Sequence, residues 1–171
     1  AAFSRLLDSV EKKGVDAHIA APGDTYSVGD LQIEILSPLE ESYENTNDYS
    51  AVVHARFGGV TFLFTGDAEA AETAAENDML DYWGSRMSWK ADVLKVGHHG
   101  SKTSSTEAFL NAVHPEIAVI EVGADNSYGH PSQKVLDRLD ALGSRVYRTD
   151  ISGNIVLTTD GDTIDAVTEK D

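Results

Sequence analysis

The sequence contains no cysteine in its 171 residues. That excludes disulfides, thiolate metal sites and a cysteine nucleophile, and it leaves the compartment open. Cations are scarce: 13 Lys and Arg stand against 29 Asp and Glu, for a formal charge of −16. Such a chain repels polyanions at long range, which argues against a general nucleic-acid binder. No run approaches the roughly eighteen apolar residues of a membrane-spanning helix, and no signal-peptide pattern opens the chain. There is no G-x-S-x-G elbow, so a serine hydrolase is a weak alternative. Internal repeats and low-complexity linkers are lacking too. Position 1 is Ala rather than Met, so a piece of a longer chain is expected. Apolar residues make up 41%, enough for a core, and residues 1–171 are expected to form one domain.

What is present is unevenly placed. In residues 86–102, "RMSWKADVLKVGHHGSK", the cations Arg86, Lys90, Lys95 and Lys102 face only Asp92. This is the one clearly basic window, and it holds the adjacent pair His98-His99. Clustering of lysines on a solvated face explains it equally well.

Phe3, Leu6, Leu7 and Val10 fall on one face of an amphipathic helix over residues 2–13, with Gly14 at its end. Leu31, Ile33 and Ile35 alternate with polar neighbours, as in a half-buried strand closed by Pro38. "SAVVHARFGGVTFLFTGD" reads as a hairpin about Gly58-Gly59. Its register sets Phe57 against Val60 and carries Ser50 to a place opposite Asp67. A helix over residues 68–80 follows. "ADVLKVG" and "EIAVIEVG" are apolar strands. Ser104 and Glu107 form an S-x-x-E capping box, and Pro131 in the first helical position makes His130 the cap of the next helix. A strand "SRVYRT" and a terminal hairpin turning near "DGD" close the chain. The β–α–β alternation predicts an α/β or mixed (α+β) fold. Three polar loops follow strands and hold Asp67, His98-His99 and His130. Ligand sites in open sheets lie beyond the carboxyl ends of strands, so these loops are expected to converge.

Carboxylate and imidazole together suit zinc, manganese or iron. Asp67 can bind or bridge metal ions. It can also simply cap the helix after it. Of two adjacent histidines at a strand end, one can be a ligand and the other a substrate contact or proton donor. Gly100, Ser101, Lys102, Thr103 and Ser104 precede a helix, where an anion is favoured; an ordinary capped loop would look the same. Asn47 and Ser50 become candidates to support Asp67 if the hairpin register holds. His18 and His54 read as surface residues.

Together "NTNDYSAVV", "FLFTGD", "ADVLKVGHHGSKTSS" and "NSYGHPSQKVLDRLDALGSRVYRTD" resemble the metallo-β-lactamase-fold hydrolase domain of the ComEC competence proteins. The resemblance covers almost the whole chain, and four motifs in order are specific where "TGD" alone is not. It implies an αβ/βα sandwich with two metals, Zn or Mn, at the sheet edges. It implies Asp67 as bridging carboxylate, His99 as the metal-binding histidine, and His98 and His130 as catalytic neighbours facing substrate. Ser101, Lys102 and Tyr128 would contact that substrate. The implied activity is phosphodiester hydrolysis by a metal-bound hydroxide, in DNA uptake, with single-stranded DNA a candidate partner. A soluble, extracytoplasmic domain or one tethered to a membrane channel protein is implied as well. The family's H-x-H-x-D-H cluster and first strands are missing from this chain. The expectation is therefore a C-terminal half whose partner is the absent N-terminal half. Metal binding by the chain alone would be weak or absent, and the uncovered sheet face would favour homo-oligomers. A catalytically silent half-domain that binds or supports structure is the alternative.

Overall fold

Alternating apolar residues build the centre of the structure, a computed structural model that describes residues 2–70 and 75–170. Helix α1 (Ala2–Lys13) leads to strands β1 (Thr25–Val28) and β2 (Leu31–Ser37), then to the hairpin β3 (Val52–Phe57) and β4 (Val60–Phe64). Helix α2 (Ala75–Trp83), β5 (Val93–Lys95), α3 (Glu107–Val113), β6 (Ile117–Ile120), α4 (Gln133–Ala141) and β7 (Arg145–Arg148) continue the alternation. A short α5 (Thr149–Ser152) precedes the terminal hairpin β8 (Ile155–Thr159) and β9 (Ile164–Thr168).

The first seven strands form one mixed sheet in sequence order. β1 to β4 pair antiparallel, and β4 to β7 pair parallel. In the β3–β4 hairpin Phe57 pairs with Val60 and Val53 with Phe64, the register read from the sequence. Gly58 turns the chain at φ +60, where only glycine is free of Cβ strain.

The two faces of the sheet differ. On one, Leu36, Val52, Leu63, Leu94, Ala118 and Ile120 are buried beneath Met79 of α2, Phe109, Leu110 and Val113 of α3, and Val135 and Leu139 of α4. Each large apolar side chain fully buried there stabilises the fold by about 1.5–3 kcal/mol. On the other face, the register aligns Ala55, Phe62, Val93 and Ile117 in one row and Val53, Phe64, Lys95 and Val119 in the next. The β8–β9 hairpin covers part of it. Gly59 N donates to Gly161 O at 2.7 Å, and Ile155 and Leu157 face Phe62, Phe64, Val93 and Val119 across a cleft of about 230 Å³. Phe64 remains 45% exposed. Among the described residues the expected sandwich is thus one large sheet with helices on one face and a two-stranded hairpin on the other.

Several local expectations need correction. The helix expected over residues 68–80 is observed from Ala75, with residues 71–74 outside the described set. Residues 68–70 instead run without regular structure, held by distant partners: Glu69 N donates to Asp48 Oδ1 at 3.0 Å and Ala70 N to Thr103 O at 2.8 Å. The cap of α3 is Thr106, whose Oγ1 accepts from Phe109 N. Ser104 lies too early; its hydroxyl is buried and donates to Gly97 O at 2.7 Å. The cap position of α4 is Ser132, not His130, and the His130–Pro131 bond is cis. His54 is half-buried rather than a surface residue, because Leu63, its β4 partner, is buried.

Candidate metal centre and active site

The carboxyl ends of β4, β5 and β6 bring the three polar loops together. Thr65 Oγ1 donates to Lys95 O, His98 N to Gly66 O and Ser132 N to Gly100 O. Gly100 is required by close approach, since a Cβ there would stand 2.6 Å from Pro131 Cβ. The turn Gly97–Gly100 places His98 and His99 at φ 44 and 54. Two adjacent non-glycine residues in the left-handed region are costly, and such strain gathers at functional sites.

His99 Nδ1 lies 2.5 Å from Glu121 O. A carbonyl only accepts, so Nδ1 carries the proton and Nε2 of the neutral ring keeps a free lone pair. That lone pair stands 3.5 Å from Asp67 Oδ1. In that neutral tautomer the two atoms are both acceptors. They suit a common cation, since two ligands on a tetrahedral zinc are roughly 3.4 Å apart. Backbone support of the distal imidazole nitrogen is the usual way to fix a ligating histidine. Asp67 is itself positioned by Ser50, whose Oγ accepts from Asp67 N at 2.9 Å. Gly66, at φ +54, lets Ser50 close in; a Cβ there would meet Ser50 Oγ at 2.8 Å.

His98 is arranged differently. Its Nδ1 lies 2.6 Å from Glu69 Oε1, which also accepts from Asn47 Nδ2 at 2.8 Å. Asn47, expected beside Asp67, therefore reaches Glu69 instead. Asp48 completes the layer beneath by holding Glu69 N. The His98 ring packs edge-on against His130, centroids 5.6 Å apart. Burial, and then the neighbouring His98 and His99, hold His130 below the usual imidazole range. Burial likewise lowers Lys95, although Glu121 and Asp67 oppose the shift; its Nζ donates to Gly66 O at 2.8 Å. Tyr128 stacks on His130 at 5.8 Å. Ser101 is buried with Oγ 2.8 Å from Thr103 Oγ1, and Lys102 is exposed.

Glu76 was missed by reading the sequence. It is fully buried, and its carboxylate receives Ser105 N, then Thr106 N at 3.0 Å and Thr106 Oγ1 at 3.1 Å. The backbone donors just before α3 are thus taken by this chain's own carboxylate, in keeping with the capped-loop alternative. Burial pushes that carboxyl up, against these hydrogen bonds and Arg138. The basic window also disperses. Arg86 lies over the Tyr82 ring on α2, 4.3 Å from its centre, while Lys95 is directed into the loop of Gly66.

The metallo-beta-lactamase superfamily pattern matches residues 10–123. The chain belongs to the metallo-beta-lactamase superfamily. The match ends just after β6, before Tyr128 and His130. Over 151 residues the chain is 38% identical to ComE operon protein 3 of Bacillus subtilis, covering 88% of this chain and 19% of that protein. It is 40% identical over 123 residues to competence protein ComA of Neisseria gonorrhoeae, covering 72% of this chain and 17% of that one. The chain therefore spans under a fifth of the length of these relatives. The crystal structure of CmlA, a diiron beta-hydroxylase from Streptomyces venezuelae, aligns with a TM-score of 0.54 at 15% identity, covering 78% of this chain and 33% of that one. At that identity the likeness concerns the fold alone. No described helix is long and apolar enough to cross a membrane.

Membership in the superfamily implies a divalent metal, and Asp67 with His99 fits one. Among the described residues no cluster of three or more His, Asp or Glu side chains is poised for an ion. That pair alone would fall short of the three or four protein ligands that a zinc site uses.

Proposed function

We propose that this chain is the part of a metal-dependent phosphodiesterase, acting on DNA during its uptake, that contributes Asp67 and His99 to the metal centre. The observation that carries this reading is the opposed pair at 3.5 Å, with His99 Nδ1 committed to Glu121 O. The competence proteins among its relatives support the link to DNA uptake. When bound, a divalent cation, Zn or Mn, lowers the pKa of water and offsets charge developing on phosphoryl oxygens. The protein's own groups do the rest. Glu69 Oε1 lies 2.6 Å from His98 Nδ1, which leaves Nε2 as the atom to take or give a proton at the substrate. His130, held neutral by its surroundings, can donate one hydrogen bond to a phosphate or leaving oxygen without adding charge. Lys102 is free to meet a phosphate as a point charge. The overall charge of −16 opposes long duplex DNA. Short or single-stranded phosphodiesters are the favoured substrates.

The test is hydrolysis of a single-stranded oligonucleotide by the intact protein, with and without chelator, and after Asp67→Ala. Loss in both cases is expected. Hydrolysis that survives both rejects the proposal. A second reading, a catalytically silent half-domain, follows from the ligand count of two. Metal analysis of the intact protein separates them: two ions per domain supports catalysis, and none supports the silent reading.

A further inference from the structure

We propose that the cleft between the end of β6 and the His130 loop is a subsite for one unpaired nucleobase. This rests on the reading above of a phosphodiester substrate. The cleft measures about 300 Å³ and is bordered by His99, Glu121, Val122, Asn126, Tyr128 and Thr149, with Gly123 and His130 beside them. His99 therefore belongs both to the cleft and to the pair with Asp67, so a ligand here adjoins the reacting phosphate.

The lining carries the Glu121 carboxylate, which disfavours an anion and leaves a flat, uncharged group as the better fit. Thr149 Oγ1 accepts from Val122 N at 2.7 Å and donates to Val122 O at 2.9 Å, which leaves the floor with its polar atoms already used. No lysine or arginine borders the cleft, so it is poorly suited to a phosphate. Its one large exposed feature is the Tyr128 ring, 81% exposed. An aromatic ring so placed contributes little to folding. It stacks on His130 with the ring planes 19° apart. The loop beneath it is pinned by Asn126, whose Nδ2 donates to Gly123 O at 2.9 Å and His130 O at 2.8 Å, while Oδ1 accepts from His130 N at 3.0 Å. A solvent-facing aromatic beside a phosphate-processing site is the arrangement on which single-stranded bases stack. Bases inside a duplex are already stacked and cannot enter, so the subsite favours single strands.

The experiment measures binding apart from hydrolysis. An end-labelled oligothymidylate and an oligonucleotide of equal length with abasic tetrahydrofuran residues are titrated with the intact protein in chelator. Tyr128→Leu is expected to weaken oligothymidylate binding about tenfold, the order of one lost base stack. Tyr128→Phe should bind like the wild type, and the abasic strand should not distinguish the three proteins. Equal weakening on both strands, or no change on either, overturns the subsite. Hydrolysis is scored separately with metal restored. Base-dependent binding without chelator-sensitive hydrolysis would reject the phosphodiesterase reading and leave the subsite standing.

Discussion

Glu69 Oε1 stands 2.6 Å from His98 Nδ1 and receives Asn47 Nδ2 at 2.8 Å from the opposite segment. One carboxylate oxygen thus touches both Asn47 and the ring that faces His130. If His98 handles a proton, removing that anchor frees the ring to turn. Glu69→Ala is expected to lower kcat for oligonucleotide hydrolysis by roughly ten- to a hundredfold, the usual cost of losing such support. Asn47→Ala, which leaves the carboxylate in place, should lower it less. Steady-state kinetics alongside bound-metal analysis checks this, with metal content expected to change little. Equal effects of the two substitutions would remove Glu69 from this role.

Ser50 and Gly66 define how closely two loops approach behind Asp67. Gly66→Ala would place a methyl 2.8 Å from Ser50 Oγ and force a non-glycine residue to φ +54. Left-handed strain alone costs about 1–2 kcal/mol, and the clash adds to it. Ser50→Ala removes the acceptor of Asp67 N and should cost about 1 kcal/mol or more. Urea denaturation midpoints test both. In the double variant Ser50→Gly/Gly66→Ala the clash is relieved, so its loss should fall below the sum of the losses of Ser50→Gly and Gly66→Ala made singly.

The hairpin and its consequences were legible because they are local. Gly58-Gly59 fixes the register, and the register alone carries Ser50 to Asp67. The loops of Asp67, His98-His99 and His130 follow from strand order. Glu69 and Glu76 were not legible. The run of Ala and Glu around them has strong helix propensity, and both fall within the helix expected over residues 68–80. In the structure Glu69 is drawn out of any helix by bonds to Asp48, Asn47 and His98, each distant in sequence. Glu76 is helical but turned inward to a loop some thirty residues on. A long-range acceptor leaves no periodic trace, so propensity gave way to tertiary hydrogen bonding there.

His54 makes stability depend on pH. Burial lowers its folded-state pKa, partly opposed by Glu34. Its Nε2 is buried without a hydrogen-bond partner. An imidazole depressed in the folded state contributes stability that is complete above its unfolded pKa of about 6.5. As the pH falls below that value, the unfolded chain takes up a proton that the folded one refuses, and stability declines toward the folded pKa. Thermal unfolding from pH 7 downward should show this decline, and His54→Leu should flatten it. Parallel curves for the two proteins would assign the acid sensitivity to other groups.

Glu76 joins α2 to the start of α3 through three donors, and Arg138 of α4 donates to Ser105 O at 2.7 Å in the same knot. The loop it holds also carries Ser104, which supports the Gly97–Gly100 turn through Gly97 O. Glu76→Ala strips the acceptor from two backbone N–H groups that have little access to water. Each such orphan costs about 1–3 kcal/mol, so a loss of roughly 3 kcal/mol is expected by urea denaturation. Glu76→Gln retains one acceptor oxygen but turns an amide N–H toward the same donors, and should lie between the two. Because the knot braces the strained His98-His99 backbone, the Gln variant should also lose metal affinity while still folded. A Gln variant less stable than wild type but unaltered in metal affinity would confine Glu76 to folding.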